Sequence, residues 1–219
     1  MKQKPVQLAM RALVYTVGLV ILAFGIALAV QSNLGASPVS SFPYVVSQIV
    51  NLSQGTCNTI VYVVYILLQM LLNGRKFQPA LMLQLVFSTI FGYCIDGAKF
   101  ILRDFMLPTY LGQVVMLAVS TVLISLGLTL YVEMQLGNMP PEGLVDCIAA
   151  KLGKSFATCK TLLDCISVTL GTVLSFVCLG RLVGIREGTV VAALLVGRLS
   201  GVFRRWLSPV LRRLCFGQQ

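Results

Sequence analysis

The sequence predicts an all-α fold, a polytopic bundle of transmembrane helices, and three observations support this prediction. First, 57% of the 219 residues are hydrophobic and only 11% are charged, whereas a soluble domain has about 25% charged residues. The mean hydropathy of +0.89 agrees with a membrane protein. Second, several apolar runs approach the roughly 20 residues that cross about 30 Å of hydrocarbon. Third, the two halves of the chain are similar in sequence.

The chain contains an internal repeat: residues 18–59 align without gaps with residues 120–161, at a shift of 102. Self-similarity at a fixed offset indicates a duplicated structural unit. The matched pairs include Gly25 with Gly127 and Pro38 with Pro140. They also include Leu34, Gly35, Ser53, Thr56 and Cys57, which match Leu136, Gly137, Ser155, Thr158 and Cys159. We therefore expect an internal two-fold repeat in the fold.

Each repeat is predicted to contain three spanning helices. The N-terminal repeat, residues 1–108, has spans near 12–31, 57–73 and 79–101. The C-terminal repeat, residues 109–206, has spans near 112–133, 160–179 and 187–204, and residues 207–219 are predicted to form a basic cytoplasmic tail. The first run also resembles a signal peptide, since Lys2, Lys4 and Arg11 precede or begin it. Its counterpart lies in the middle of the chain, so we expect this helix to be retained.

A shorter segment follows the first span of each repeat, at residues 38–50 and 140–152. As a helix, either segment would cover about 20 Å, too little to cross the hydrocarbon. Each begins at the proline of a Leu-Gly-x-x-Pro motif, and proline is favoured in the first turn of a helix. We therefore predict two half-helices. Because broken backbone in lipid survives only against protein or water, we expect both half-helices to start at a cavity.

Half-helices at corresponding positions of two repeats indicate the binding site of a transporter, because their N-termini carry partial positive charge. Glu142 and Asp146 lie four residues apart, on one face of the second half-helix. Both acids also fit a simpler interpretation, in which they complement the helix dipole of an interfacial segment in water. The predicted substrate-binding residues are Ser37, Pro38, Ser40, Ser41, Asn138, Pro140, Glu142 and Asp146.

Three further charged residues lie within or beside predicted spans: Asp96, Asp164 and Arg198. Charges inside a membrane are costly and indicate function by default. Pairing of Arg198 with Asp96 is one alternative. Local neutralisation is another, with Lys99 beside Asp96 and Lys160 beside Asp164, and Arg198 could also extend its side chain toward the basic tail. Glu133 is a further acid, in the last turn of its span.

Lysine and arginine placement predicts the orientation in the membrane. With three spans per repeat, the repeats are inverted and 13 basic residues lie on the cytoplasmic side against 4 outside. An eight-span alternative, with parallel repeats, exchanges Arg75 and Lys76 for Lys99 and Arg103 and gives the same count. Both alternatives place the two termini in the cytoplasm, and the short length of the half-helices favours six spans. The net charge of +10 is explained by this bias, so no nucleic-acid partner is expected.

Enzymatic signatures are missing from the sequence. Leu152 to Ser155 resembles the end of a phosphate-binding loop, but Ile148 stands where that loop needs glycine. The chain has no histidine and 7 cysteines without a CxxC spacing, so we expect neither a zinc site nor a cofactor. Gly197 and Gly201 have the spacing of closely packed membrane helices.

Four stretches carry a family resemblance: LGASPVSSFPYVVS, SQGTCNTIVYVVYILLQ, LGNMPPEGLVDCIA and EGTVVAALLVGRLSG. Over about residues 10–206 the chain resembles the YczE/YyaS/YitT class of bacterial integral membrane proteins, most of all its YczE-like branch. The resemblance implies a multi-pass protein of the bacterial cell membrane and suggests a vitamin B6-like metabolite as ligand. The C-terminal soluble domain of the YitT branch has no counterpart in this sequence. Arg198 also departs from the pattern expected in its VGxLxG motif.

The sequence thus predicts a non-enzymatic transporter of a small polar metabolite or ion, with a site where the two repeats meet. A carboxylate in a low-dielectric cavity binds protons more tightly, so coupling to protons or another cation is expected. The alternatives are a non-transporting membrane scaffold or sensor that assists a partner protein, and a channel. The expected partners are the lipid bilayer and a small ligand, and a homo-oligomer stays open.

Overall fold

The computed structural model describes residues 5–74 and 79–216, which form eight helices and no strand. The predicted all-α fold is confirmed. Lys2, Lys4, Arg75 and Lys76, which the predicted orientation counts, lie outside the described residues. The helices are α1 (Pro5–Gln31), α2 (Pro38–Val50), α3 (Gln54–Leu72), α4 (Pro79–Leu102), α5 (Tyr110–Glu133), α6 (Pro140–Leu152), α7 (Phe156–Leu179) and α8 (Glu187–Phe216).

Five helices are long and apolar enough to cross a membrane: α1, α3, α4, α5 and α7. The sixth predicted span, 187–204, forms the first part of α8, which is not among these five. Arg198, Arg204 and Arg205 interrupt the apolar sequence of this helix. The predicted boundary between span and tail at residue 206 does not end the helix, because α8 continues through Pro209 to Phe216.

The two short helices α2 and α6 have the predicted bounds, and each has proline in its first turn. The backbone around them takes the same conformations at positions 102 residues apart. Asn33 and Gln135 both have positive φ, at 55° and 51°, which is uncommon for residues other than glycine. The helices end at Asn51 and Gly153, both left-handed. Ser53 and Ser155 then cap α3 and α7 in the same way.

Helices α1 and α5 pack closely in antiparallel directions. A Cβ at Gly25 would lie 2.9 Å from the backbone nitrogen of Ile124, and one at Gly127 would lie 2.6 Å from that of Leu22. Gly127 lies 102 residues after Gly25, and Leu22 lies 102 residues before Ile124. The two contacts are therefore equivalent under the shift of 102 residues, as expected for a two-fold relation. Gly197 and Gly201, predicted from their spacing to pack closely, face open space, because a Cβ at either position would meet no atom within 4 Å. Close packing through glycine occurs instead between α1 and α5 and between α3 and α4.

The remaining contacts divide the helices into two groups. In the α1/α5 group, α4 packs on α1 as α8 packs on α5. In the half-helix group, α2 packs on α3 and α7, and α6 packs on α7 and α3. Between the groups, α2 contacts α8 and α6 contacts α4. Helix α3 lies tightly along α4 through Gly55 and Gly92, whereas α7 does not pack along α8.

The C-terminal part of α8 is bound to the end of α5. Glu133, 4% exposed, accepts a hydrogen bond of 2.8 Å from Ser208 and lies 2.7 Å from Nε of Arg204 and 3.8 Å from Nε of Arg212. On the adjacent α1, Arg11 donates to the carbonyl oxygen of Met134. A cation at the C-terminus of a helix is favourable. The sequence singled out Glu133 but not its partners.

We predict that Glu133→Gln loosens this end of α8 and increases the labelling rate of Cys215, which is 1% exposed. Losing the buried negative charge leaves Arg204 and Arg212 without their counter-charge, so we expect labelling roughly tenfold faster. The measurement uses a membrane-impermeant maleimide on a variant whose only cysteine is Cys215. Glu187→Gln, which removes an exposed ion pair on the same helix, is the matched control. Equal rates in all three proteins would contradict the prediction.

Candidate functional site

Helix α6 begins in the interior of the bundle, beside the second half of α3. The side-chain amide of Gln69 donates to the carbonyl oxygen of Pro140 at 3.0 Å, and Asn73 donates to the sulfur of Cys147 at 3.3 Å. Helix α6 therefore runs in the same direction as α3 and lies along the C-terminal part of α3. Helix α2 has the matching position, since Phe42 lies against Gly171 of α7.

A row of polar side chains follows the inner face of α3. Gln54, Asn58, Tyr62, Tyr65 and Gln69 recur at helical spacing, and each is at most 8% exposed. On α7, at the positions 102 residues later, Lys160, Asp164, Ser167 and Gly171 follow. The two rows meet where the hydroxyl groups of Tyr65 and Ser167 lie 3.3 Å apart. The bundle therefore has a polar interior between the two half-helices.

The α3 row contains polar groups without partners. Both side-chain polar atoms of Gln54 and both of Asn58 are buried and make no hydrogen bond. Leaving a buried polar atom unpaired costs about 1–3 kcal/mol, so native proteins contain few such groups and each needs an explanation. The site residues predicted from the sequence do not include this row. Its polar residues recur at positions i, i+4, i+8, i+11 and i+15, a helical spacing from which one polar face of α3 could have been predicted.

Glu142, in the first turn of α6, lies at the centre of this polar interior. Its Oε2 is shut off from solvent and has no hydrogen-bond partner. The carboxylate interacts electrostatically with four tyrosines, Tyr15, Tyr62, Tyr65 and Tyr131, and the hydroxyl of Tyr131 is within hydrogen-bonding reach. These tyrosines come from α1, α3 and α5, so Glu142 is reached from three helices besides its own.

Asp164 forms an ion pair with Lys160 at 2.6 Å, with less than a quarter of each side chain exposed. The structure thus contains the local pairing that was one of the two alternatives for Asp164. The pair also interacts electrostatically with Glu142. Together, Glu142, Asp164 and Lys160 carry two negative charges and one positive charge.

The other predicted residues of α6 lie apart from Glu142. Asp146 is exposed and accepts a hydrogen bond of 2.6 Å from Asn138, which is also exposed. Although Asp146 is only four residues from Glu142, it is exposed to water, as the simpler interpretation of an interfacial segment predicts. Pro140 is buried and contributes its carbonyl oxygen to Gln69.

The predicted serines at the start of α2 are buried but bonded locally. Ser37 donates to the hydroxyl of Ser40 at 3.1 Å, and Ser41 donates to the carbonyl oxygen of Pro38 at 2.7 Å. Pro38 is buried as the first residue of the helix. Ser40 occupies the position that corresponds to Glu142 in the second repeat, so the two half-helices present different chemistry at equivalent places.

Asp96 and Arg198 do not pair, because the Asp96 carboxylate binds the start of α3. One oxygen accepts from the Ser53 hydroxyl at 2.5 Å and the other accepts from the backbone nitrogen of Gly55 at 2.7 Å. Arg198 is exposed on α8, which does not pack along α4. Lys99, the other predicted neighbour of Asp96, lies over the ring of Tyr44 at 5.4 Å.

We predict that Asp96→Ala lowers the free energy of unfolding by about 1–3 kcal/mol, because the N-terminus of α3 loses a charged acceptor. Thermal unfolding in detergent measures the effect. Asp104→Ala is the control, since Asp104 is 87% exposed and pairs only with the adjacent Arg103 among the described contacts. Equal melting temperatures for the two variants would show that Asp96 does not stabilise α3.

Two cavities are present outside this polar interior. One, of about 580 Å³, lies beside the segment that precedes α2 and is lined by Gly35, Ala36, Tyr44, Arg181 and Arg186 among others. Another, of about 180 Å³, lies between α3 and α4 beside Asp96. Neither is lined by Glu142 or Asp146. The larger cavity borders the start of α2, whereas neither of these two cavities borders the start of α6.

Comparison with known proteins identifies the relatives of the chain. The family of unknown function DUF6198 matches residues 9–205. "Uncharacterized protein YyaS" of Bacillus subtilis (strain 168) is 27% identical over 185 residues, which cover 80% of this chain and 90% of that protein. "Uncharacterized membrane protein YczE" of the same organism is 32% identical over 148 residues, 67% of this chain and 66% of that protein. No solved structure matches.

Proposed function

This chain belongs to the DUF6198 family of membrane proteins, and we propose that it transports a small polar metabolite or ion, with Glu142 at the binding site. The observation that carries the proposal is the set of unpartnered polar atoms on Asn58, Gln54 and Glu142 in the polar interior of the bundle. Such groups are costly in a membrane and mark substrate or ion pathways. A ligand or water that bonds to them would remove that cost.

The arrangement of the helices supports two inverted repeats around this site. Because α1 and α5 are antiparallel and correspond in sequence, the chain crosses the membrane an odd number of times from α1 through α4. Three crossings by α1, α3 and α4 meet this condition, with α2 as a half-helix that does not cross. The six-span alternative is therefore favoured over eight spans with parallel repeats. Inverted repeats with paired half-helices are a recurrent design of secondary transporters.

The unequal packing of α3 on α4 and of α7 on α8 supports alternating access. Most helix contacts within each group recur at positions 102 residues apart, but α3 packs along α4 whereas α7 does not pack along α8. A movement of the half-helix group against the α1/α5 group, which brings α7 toward α8 and opens α3 from α4, would exchange the accessible side. Transporters move largely by such rigid-body displacement around a fixed site.

Under the same proposal, the protein lies in a bacterial cell membrane with both termini on the cytoplasmic side, and the distribution of basic residues supports this orientation. The exposed end of α8 fits this orientation, since Trp206, Val210 and Leu214 are exposed beside Arg205 and Arg213. Amphipathic helices with these residue types lie at the interface with anionic lipid.

An uptake experiment tests the proposal. Detergent-solubilised protein is first screened for metabolites that raise its melting temperature, because a ligand of the folded state stabilises it. Pyridoxine, pyridoxal and pyridoxamine are the first solutes, as the family resemblance implies. We expect a stabilising solute to accumulate in liposomes that contain the protein and not in protein-free liposomes. Binding without any flux, together with a partner protein that co-purifies, would favour the scaffold or sensor alternative.

A further inference from the structure

When Glu142 and Asp164 are both ionised, the site is one positive charge short. Lys160, which acts electrostatically on Glu142, is already paired with Asp164 at 2.6 Å. Burial raises the pKa of Glu142, so a proton competes with any other cation for this carboxylate. Helix α3 contributes no charged residue. From α1, Arg11 is bound to the carbonyl oxygens of Met134 and Gln135, and the acid of α5, Glu133, is paired with arginines of α8.

Four tyrosine rings pack in the same polar interior as Glu142. Tyr62 stacks on Tyr65 with ring centroids 6.1 Å apart, and Tyr15 meets Tyr131 edge to face at 5.8 Å. All four rings are at most 8% exposed, and all four tyrosines interact electrostatically with Glu142. Ring faces attract cations, most strongly where water is excluded, and aromatic cages are used to bind ammonium ligands.

We infer that the ligand class of this site is an organic ammonium ion, bound by charge to the free Oε2 of Glu142 and by the tyrosine rings. The carboxylate supplies the counter-charge that the site lacks, and the rings replace part of the cation's hydration. A bare metal ion fits less well, because no three metal-ligating side chains come together in residues 5–74 and 79–216. Asn58, 1% exposed and within hydrogen-bonding reach of the Tyr62 hydroxyl, offers a donor and an acceptor for further polar groups of the ligand.

This inference rests on the proposed function, because it names the substrate class of the same site. Its test is a binding measurement and is independent of transport. Isothermal titration of the purified full chain in detergent compares choline, ethanolamine and phenethylamine with their neutral counterparts 3,3-dimethylbutan-1-ol, ethylene glycol and 2-phenylethanol. We expect at least one ammonium ion to bind, with its neutral counterpart at least about tenfold weaker.

Three variants connect this binding to the site. Glu142→Gln is expected to abolish the preference for the ammonium ion over its neutral counterpart. Tyr65→Leu removes a ring and is expected to weaken binding by roughly tenfold, whereas Tyr65→Phe keeps the ring and is expected to stay within about threefold of the unmodified protein. Asp146→Asn is the control for removal of an acid from the same helix, and its binding should be unchanged.

The inference is overturned if none of the three ammonium ions binds, if a neutral counterpart binds equally well, or if Glu142→Gln keeps the preference. The proposed function has a separate outcome, because the uptake screen includes solutes of every charge. Uptake of an anionic or neutral solute that depends on Glu142, without binding of any ammonium ion, would leave the transporter proposal intact and exclude this ligand class.

Discussion

Glu142→Gln is expected to fold normally and to lose the uptake of the transported solute by roughly 100-fold or more. The amide has the size of the carboxyl group and keeps an oxygen that the Tyr131 hydroxyl can approach. It cannot carry a negative charge or take up a proton, so it removes the charge around which the site is built. Because the variant also removes the charge from a carboxylate whose Oε2 has no hydrogen-bond partner, the melting temperature should stay equal or rise.

Asp146→Asn is the matched control for this variant, since Asp146 lies one turn further along α6 and is exposed. Its uptake should stay within about threefold of the unmodified protein, as expected for a surface substitution. The measurement is the initial rate of uptake into liposomes at equal protein content. Unchanged uptake by Glu142→Gln would remove this residue from the mechanism, and a lowered melting temperature would indicate a structural role instead.

Gly127→Leu is expected to prevent stable folding, because it separates α1 from α5. A Cβ at this position would lie 2.6 Å from the backbone nitrogen of Leu22 and 2.7 Å from the carbonyl oxygen of Gly18. Backbone atoms cannot avoid the clash by changing rotamer as side chains do, so the helices must move apart and lose their interface. We expect a loss of about 3 kcal/mol or more in the free energy of unfolding.

Gly197→Leu is the control for the same substitution in a helix interior, since a Cβ at Gly197 would have no neighbouring atom within 4 Å. The measurement is the yield of monodisperse protein in detergent together with its melting temperature. Gly127→Leu should lose most of its yield, while Gly197→Leu should keep it. If both variants behaved alike, the close packing of α1 and α5 would not contribute to stability as described.

The helices and half-helices could be predicted because their signals are local. Apolar runs of spanning length give the long helices, and a proline after Leu-Gly gives the start of α2 and of α6 to the residue. The shift of 102 residues also located positions whose backbone conformation recurs, such as Asn33 and Gln135. These features depend on a few neighbouring residues and are readable from the chain itself.

Partners that depend on packing could not be predicted. Asp96 binds Ser53 and Gly55 because α3 lies antiparallel along α4, and no local pattern specifies that register. The partners of Glu133 could not be predicted for the same reason, because they lie 71 or more residues later in the chain. Glu142 and Asp146 share a helix face, but only the contacts of α6 with α3 show that Glu142 faces the interior.

The proposed site depends most on the antiparallel arrangement of α1 and α5, from which we infer that the two halves are inverted. A Cβ at Gly18 would lie 3.0 Å from that of Leu130, and one at Gly25 would lie 3.1 Å from that of Leu123, so both pairs are near disulfide distance. Each of these Cβ atoms would also lie 2.9 Å from a backbone nitrogen of α5, so the helices must shift, and linkage is scored only in variants that stay monodisperse in detergent. Cysteine pairs are placed in a cysteine-free variant with a protease site in the α4–α5 loop. After oxidation and cleavage, a disulfide keeps the two halves together on a denaturing gel.

We predict that Gly18→Cys with Leu130→Cys, and Gly25→Cys with Leu123→Cys, link the halves. The exchanged pairs, Gly18→Cys with Leu123→Cys and Gly25→Cys with Leu130→Cys, should leave them separate. Linkage of the exchanged pairs in place of the predicted pairs would mean that α1 and α5 run parallel. The repeats would then not be inverted, and the shared site around Glu142 would be wrong.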